Sequence, residues 1–459
     1  MISSKAKPKS KAVAKTVLYI SLIFLVASCN ECPTEPEYDI YLSVEEVLST
    51  SVMIKVTLPD SGQINHFELD RNDSTIATYS CLDDDTLITD NELIPDTKYT
   101  YQVRFLKDDK TKAQSEAITI HTLATTSHDF VWEIDTLGIY GSYLKDAWIV
   151  DEDDIWVVGN IVMPDPDSSW NGTGRETFNA AHWNGKEWEY IHIKGNLVND
   201  VGPLYSIWYF DSGDIWVTSH CFPIHWDGNE WTLYHIQNMG LDACAGNAIW
   251  ASSPNDIYFV GRKGSIVHYD GSGFEKVESG TEINLRDIYG IGSHTFAVGS
   301  NTDGKYAGQS IALHRDNSTW ETIRHEYVFF PKSSADRGKI CTVWAHENYF
   351  YYIDYSGLMR YDPKSGELNE WFSKGEMYGF RTNIIRIRGN ALNDIIHVNN
   401  WAHILHYNGE SWQPIDDVFN QYPDGEIDVE SMDFRGDIVT IVGFMRYYSH
   451  AAIGRGYRN

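Results

Sequence analysis

Seven times between Trp132 and Gly456 the chain restates one short unit, and no other feature limits its fold as tightly. Clear copies read DIWVVG with AAHWNGKEW (154–159, 180–188), DIWVTSHCFPIHWDGNEW (214–231), DIYFVGRKGSIVHYDGSGF (256–274) and DIIHVNNWAHILHYNGESW (394–412). TFAVG with IALHRDNSTW (295–299, 311–320) and YFYYIDYSGLMRYDPKSGELNEW (349–371) are degenerate copies of the same grammar. Each unit holds apolar and aromatic runs of strand length, separated by Asn-Asp, Asp-Gly or Asn-Gly turn signals. A period of roughly 40–60 residues with several strands per unit is the mark of a β-propeller, in which each small sheet buries its faces against its neighbours. The fold class is therefore all-β.

The runs that read as second strands begin near Ile155, Ile215, Ile257, Thr295, Tyr349, Ile395 and Ile438, which predicts seven blades. Trp188, Trp231, Phe274, Trp320, Trp371 and Trp412 mark only six outermost strands, because the chain stops soon after Gly454. The missing strand is expected at the other end, in HDFVWEIDTL (128–137), with Trp132 at the post-turn position. Such a closure removes open sheet edges. Eight blades is the alternative count.

Residues 38–123 carry a different pattern of short strands: SVMIKVTL, NHFELDR, STIATYS, KYTYQVRFL and EAITIHTL. Period-two alternation in KYTYQVRF puts Tyr99, Tyr101, Val103 and Phe105 on one face. The segment LIPDTKYTYQVRF (93–105) resembles the fibronectin type III signature. That resemblance implies an immunoglobulin-like sandwich in which the Tyr99 hydroxyl is pinned to nearby backbone. Val56 or Leu58 stands where the family carries a core Trp. Its expected role is a spacer ahead of the propeller at 124–459.

The first 28 residues read as an address. Lys5, Lys7, Lys9, Lys11 and Lys15 precede an apolar run from Val17 to Ala27, too short and wrongly flanked for a membrane span. Val26-Ala27-Ser28-Cys29 resembles a bacterial lipobox, which implies lipidation of Cys29 and a lipidated linker over 29–37. The acidic NECPTEPE after Cys29 is similar to the surface-export signals of Bacteroidota lipoproteins. Together these imply an outer-membrane lipoprotein, held to the membrane through its lipid alone. A monomer is expected.

A net charge of −29 argues against nucleic acid as a partner. Lipidation would leave five of the six cysteines, without CxxC spacing, which speaks against a disulfide framework or a zinc site. Cys221 and Cys244 either pair between neighbouring repeats or stay as buried thiols.

The repeats themselves resemble a broad set of bacterial secreted propellers, with the pattern DIWVVG…HWDGxxW, many of them without assigned activity. The turns also resemble the Asp-box of sialidase-type propellers, in part only; that resemblance implies a folding element rather than chemistry. His182, His225, His268, His314 and His406 occupy one repeat position, so they fall on different blades. Metal ligands must converge to about 2 Å from one ion, which separated blades cannot supply. Acidic loops at 151–154, 163–169 and 301–305 lack the full ligand spacing of a calcium loop, leaving incidental calcium at most. No cofactor is expected. G-x-S-x-G, S-x-x-K, HExxH and P-loop motifs are absent. Arg286, Arg381, Arg386 and Arg388 lie near inner strands, three of them in one unit, unlike the distributed arginine clamp of a sialidase-like enzyme.

A second repeat position is more suggestive. First strands read DAW, SIW, AIW, DIY and TVW, placing Trp148, Trp208, Trp250, Tyr289 and Trp344 equivalently. Arg388 and Asp433 break the pattern. These aromatics either pack between blades or form a binding platform around one mouth of the axial channel, with Arg388 and Asp433 giving it polarity. Insertions at 160–179, 300–310 and 324–338 are expected to build the rim. Two functions follow: a non-catalytic surface scaffold binding a protein or glycan, or a carbohydrate-active lyase or hydrolase working in the funnel.

Overall fold

The computed structural model describes residues 40–57, 66–80, 85–107, 110–165, 174–195, 201–301, 304–316, 319–327, 340–354, 356–377, 384–415, 418–419, 427–446 and 450–459. The expected signal peptide, Cys29 and the 29–37 linker lie outside these residues, as do Cys32 and Cys81. Among the described residues the chain is all-β: there is no α-helix, only two single-turn 3-10 segments. Among these described residues no helix is long and apolar enough to cross a membrane.

The N-terminal part is a two-sheet sandwich. Tyr41–Val47, Val52–Thr57 and Asp85–Asp90 form one sheet. His66–Arg71, Ser74–Ser80, Lys98–Lys107, Lys110–Gln114 and Ile118–His121 form the other. Alternation along Lys98–Lys107 sends Tyr99, Tyr101, Val103 and Phe105 into the shared core with Ile54, Val56, Phe67 and Leu69. The Tyr99 hydroxyl accepts the Ile94 N–H at 2.9 Å, tying the turn to the strand that follows it.

Seven four-stranded antiparallel sheets follow among the described residues. The first is built from Tyr143–Asp151, Asp154–Pro164, Arg175–Trp183 and Trp188–Ile191. The innermost strands of the others are Ser206–Asp211, Cys244–Ser253, Leu285–Ile291, Val343–His346, Ile384–Ala391 and Ile427–Arg435. Each innermost strand touches that of the next sheet, and the last touches the first, so the seven ring a common axis in the manner of a propeller. In the seventh sheet the fourth strand is Phe130–Leu137, paired to Ala451–Arg458 with Trp132 opposite Gly456. That glycine is required: a Cβ there would sit 2.8 Å from the Trp132 ring.

Cys221 and Cys244, left open by the sequence, form a disulfide joining the second sheet to the third. The sandwich, expected as a spacer, is docked directly against the fifth and sixth sheets. Arg360 donates from Nη1 to both Glu46 oxygens at 2.7 and 2.8 Å, a charge-assisted pair almost out of reach of solvent. Leu48 and Leu123 pack into the shared core of those two sheets. Nearby, Asn393 donates to the Ala124 carbonyl, and the Thr126 N–H to the Asn408 carbonyl.

Candidate functional site

Two repeated positions carry polar chemistry, one on the outer part of each sheet and one at the axis. On the outer position, His182, His225 and His268 each place Nε2 2.8 Å from the aspartate that opens the second strand: Asp154, Asp214 and Asp256. His406 meets Asp394 the same way at 2.9 Å. Trp156, Trp216 and Tyr258 stack on the first three imidazoles, at centroid distances of 4.7, 4.2 and 4.4 Å. In the fourth sheet His294 replaces the aspartate, and its Nδ1 lies 3.0 Å from His314 Nε2. These aspartate, histidine and aromatic partners lie within one sheet in each case, while His314 also meets the Tyr361 hydroxyl of the fifth sheet at 3.2 Å and His406 meets His128. Among the described residues no group of three or more His, Cys, Asp or Glu is placed to hold a metal.

The axial position behaves differently. A cavity of about 460 Å³ opens between the innermost strands, lined by Trp148, Trp208, Tyr289 and Trp344 together with Arg388 and Asp433. Trp250, the remaining member of the expected aromatic ring, is not part of the lining. The register confirms that the seven positions are equivalent: each faces the third residue of its second strand, as Trp148 faces Trp156 and Arg388 faces Ile396. Their ring faces are largely spent on neighbours. Trp250 lies on Gly290 and Trp344 on Gly389, the backbone of the next sheet in each case, where a Cβ would meet the indole at 2.2 and 2.7 Å. Trp148 sits edge-to-face against Trp208 at 4.8 Å, and the Arg435 guanidinium covers it at 3.6 Å. Inter-sheet packing therefore accounts for most of the aromatic repeat.

Two residues before these positions in six of the seven sheets lies a polar tier that sequence reasoning misses: Asp146, Ser206, Asp287, Thr342, Arg386 and Ser431, all buried, with Ala248 in the third sheet. Register shifts beside Asp146, Asp287, Arg386 and Ser431 are β-bulges, which turn these side chains toward the axis. Asp146 accepts from Ser206, from the Ile207 N–H and from Ser431. Arg386 donates to Ser431 at 3.1 Å and spans the axis to Asp287 at 2.7 Å. Asp287 also takes Thr342, the Val343 N–H and Arg388. Burial alone would raise the Asp287 pKa, but the charges of Arg386 and Arg388 outweigh it and hold the carboxyl below its ordinary value. Asp433 accepts the Ile149 N–H, which links the seventh sheet to the first, and pairs with Arg435 at 2.9 Å. Three carboxylates and three guanidiniums thus neutralise one another in one cavity. The signal that could have found them was the first residue of the same DAW, DIY, TVW and RIR triplets.

The expectation that insertions ring the aromatic mouth is corrected by strand direction. Trp148 lies near the tight turn before Asp154, whereas the first insertion begins after Pro164, about 25 Å further along the second strand at 3.3 Å per residue. The segment after Ser300 and the one after Tyr327 leave their sheets at that same far end. Residues 166–173, 302–303 and 328–338 of these insertions lie outside the described residues.

No family profile matches the chain, and no curated protein matches it. Among solved structures it is similar to YCF48 bound to a D1 peptide: 15% identity, 73% of this chain and 100% of that chain covered, TM-score 0.51. It is also similar to two extracellular domains from B. thetaiotaomicron. The putative one-component system BT4673 is 11% identical over 70% of this chain and 39% of that chain, TM-score 0.45. The putative hybrid two-component system BT3049 is 10% identical over 88% of this chain and 61% of that chain, TM-score 0.35. The chain spans about two fifths of the BT4673 domain. At such identities the likeness to YCF48 establishes the fold type alone, a β-propeller.

Proposed function

We propose that this chain is a non-catalytic, lipid-anchored surface scaffold. In this reading a signal peptide (1–28) precedes lipidated Cys29, and a fibronectin type III-like stalk (38–123) carries a seven-bladed propeller (124–459) that binds a protein or glycan. The observation that carries the binding reading is the state of the axial cavity. Its carboxylates are ion-paired and hydrogen-bonded, so none is poised as a general acid or base. The sandwich topology and the Tyr99–Ile94 bond support the fibronectin-like assignment. A disulfide between two sheets supports an oxidising, extracytoplasmic compartment. Glycan-array and pull-down screening of the purified chain tests the reading. A specific ligand lost in Trp208→Ala with the fold retained is the expected result; no ligand of either class defeats it.

One observation favours a second reading, that of a carbohydrate-active lyase or hydrolase: three carboxylates and three arginines do converge on one cavity. Turnover of any member of a polysaccharide panel, abolished by Asp287→Asn, would establish it. Cys29→Ala, compared with the wild type for incorporation of labelled fatty acid, tests the anchor separately.

A further inference from the structure

The axial cavity is rich in uncommitted donors and poor in acceptors. An indole N–H donates and cannot accept. Trp148, Trp208 and Trp344 line the cavity, and among the described residues none of their Nε1 atoms has a hydrogen-bond acceptor. The Tyr289 hydroxyl on the same tier is likewise uncommitted. Among the cations, Arg386 and Arg388 are spent on Asp287. Arg435 places Nε 2.9 Å from Asp433 and lies over the Trp148 ring, and among the described residues no hydrogen bond is formed by its Nη atoms, on a side chain 40% exposed. The carboxylates are already engaged: Asp146, Asp287 and Asp433 each bind two or more donors.

This inventory separates ligand classes. A sugar ring needs an open aromatic face for its C–H groups and acceptors for its hydroxyls, and here the faces are covered and the acceptors taken. A carboxylate flanked by carbonyls needs only donors. The floor is shut by the Asp146–Arg386–Asp287 bridge, so a chain end fits better than a passing loop. At about 460 Å³ the space lies in the lower part of the range, about 300–1,000 Å³, usual for ligand pockets.

We propose that the cavity receives the C-terminal end of a peptide chain, its carboxylate on the Nη atoms of Arg435 and its carbonyls on the indole N–H groups of Trp208 and Trp344. The proposal rests on the scaffold reading and narrows it to one ligand class. The net charge of −29 favours a chain with basic residues upstream of its carboxylate.

Tryptophan fluorescence of the full chain tests it. The probes are N-acetyl-Lys-Lys-Gly-Ala-Ala as the free acid, the same peptide as its C-terminal amide, and a galacturonic acid trisaccharide. The free acid should bind at least about tenfold more tightly than the amide, a difference of about 1.4 kcal/mol. Arg435→Gln should erase that preference, and Trp208→Phe, which keeps an aromatic ring of smaller size and removes the donor group, should weaken the free acid severalfold. Trp401→Phe, at an exposed turn away from the cavity, should change neither. Equal affinity for acid and amide, no binding of either peptide, or a preference that survives Arg435→Gln overturns the proposal. Binding of the trisaccharide alone also overturns it while leaving the scaffold reading intact; that reading fails separately, if screening finds no ligand of any class.

Discussion

The outer histidine–aspartate position and the axial position are both products of the same repeat, yet they meet opposite fates. On the outer part of a sheet every copy has the same neighbours, because they come from the same unit. Asp214, His225 and Trp216 therefore reproduce the arrangement of Asp154, His182 and Trp156, and each copy is complete by itself. At the axis a residue faces six other units rather than its own. A charge introduced there in one sheet must be answered from another, as Asp287 is answered by Arg386 and Arg388 from roughly a hundred residues away. Repetition makes the outer position modular, and convergence makes the axial one collective.

Substitutions can break that contrast. The largest effect is expected for Asp287→Ala, which leaves two buried guanidiniums without their counter-charge and should cost about 3–5 kcal/mol in urea unfolding. Removing the charges together, as Asp287→Leu with Arg386→Met and Arg388→Leu, should recover most of that loss; no recovery would mean that the network is not collective. Reducing the Cys221–Cys244 bridge should cost about 3 kcal/mol by the loop-entropy estimate, since it closes a loop of 23 residues between adjacent sheets. His225→Ala, on the modular position, should cost only about 1 kcal/mol, the scale of one hydrogen bond. The losses from His182→Ala, His225→Ala and His268→Ala should add within about 0.5 kcal/mol, whereas Asp146→Ala and Arg386→Ala should deviate from additivity by more.

The smallest expected effect concerns an outer copy drawn into contacts with the linker. His406 touches His128 of the linker from the sandwich, Nδ1 to Nδ1 at 2.8 Å, while Arg458 of the last strand joins it on Asp394. Burial, and then the neighbouring His406, lower the His128 pKa to about 4; burial lowers that of His406 as well, against the pull of Asp394. Below about pH 6.5 the unfolded chain therefore binds more protons than the native one, so stability falls as pH drops toward 4. For partly exposed His128 the contribution should stay under about 1 kcal/mol after solvent screening. His128→Phe should flatten the dependence of the urea midpoint on pH between 6.5 and 4.

What could be read from sequence follows the same division. The Asp-Gly turns, the strand runs and the outer aromatics lie within single units, and the pairing of Trp132 with the last strand followed from a missing copy. The equivalence of Trp148, Trp208, Trp250, Tyr289 and Trp344 was legible as a position. What their faces touch was not, because Gly290 and Gly389 lie on the neighbouring units. Asp146 and Asp287 stood in plain view inside their triplets, but their partners are set by ring geometry and bulges that no local pattern states. Arg435 carried no signal at all: it follows the triplet in one unit only. The insertion rim was misplaced for a related reason, since its position depends on which way the first strand runs.

The claim that recognition resides at the axis, where the repeat breaks, is tested most directly by ligand binding in two variants of retained fold. Arg435→Gln alters the axial mouth and His225→Ala the modular position. A ligand captured by the wild-type chain should be lost from Arg435→Gln and kept by His225→Ala. A ligand held equally well by Arg435→Gln would contradict it.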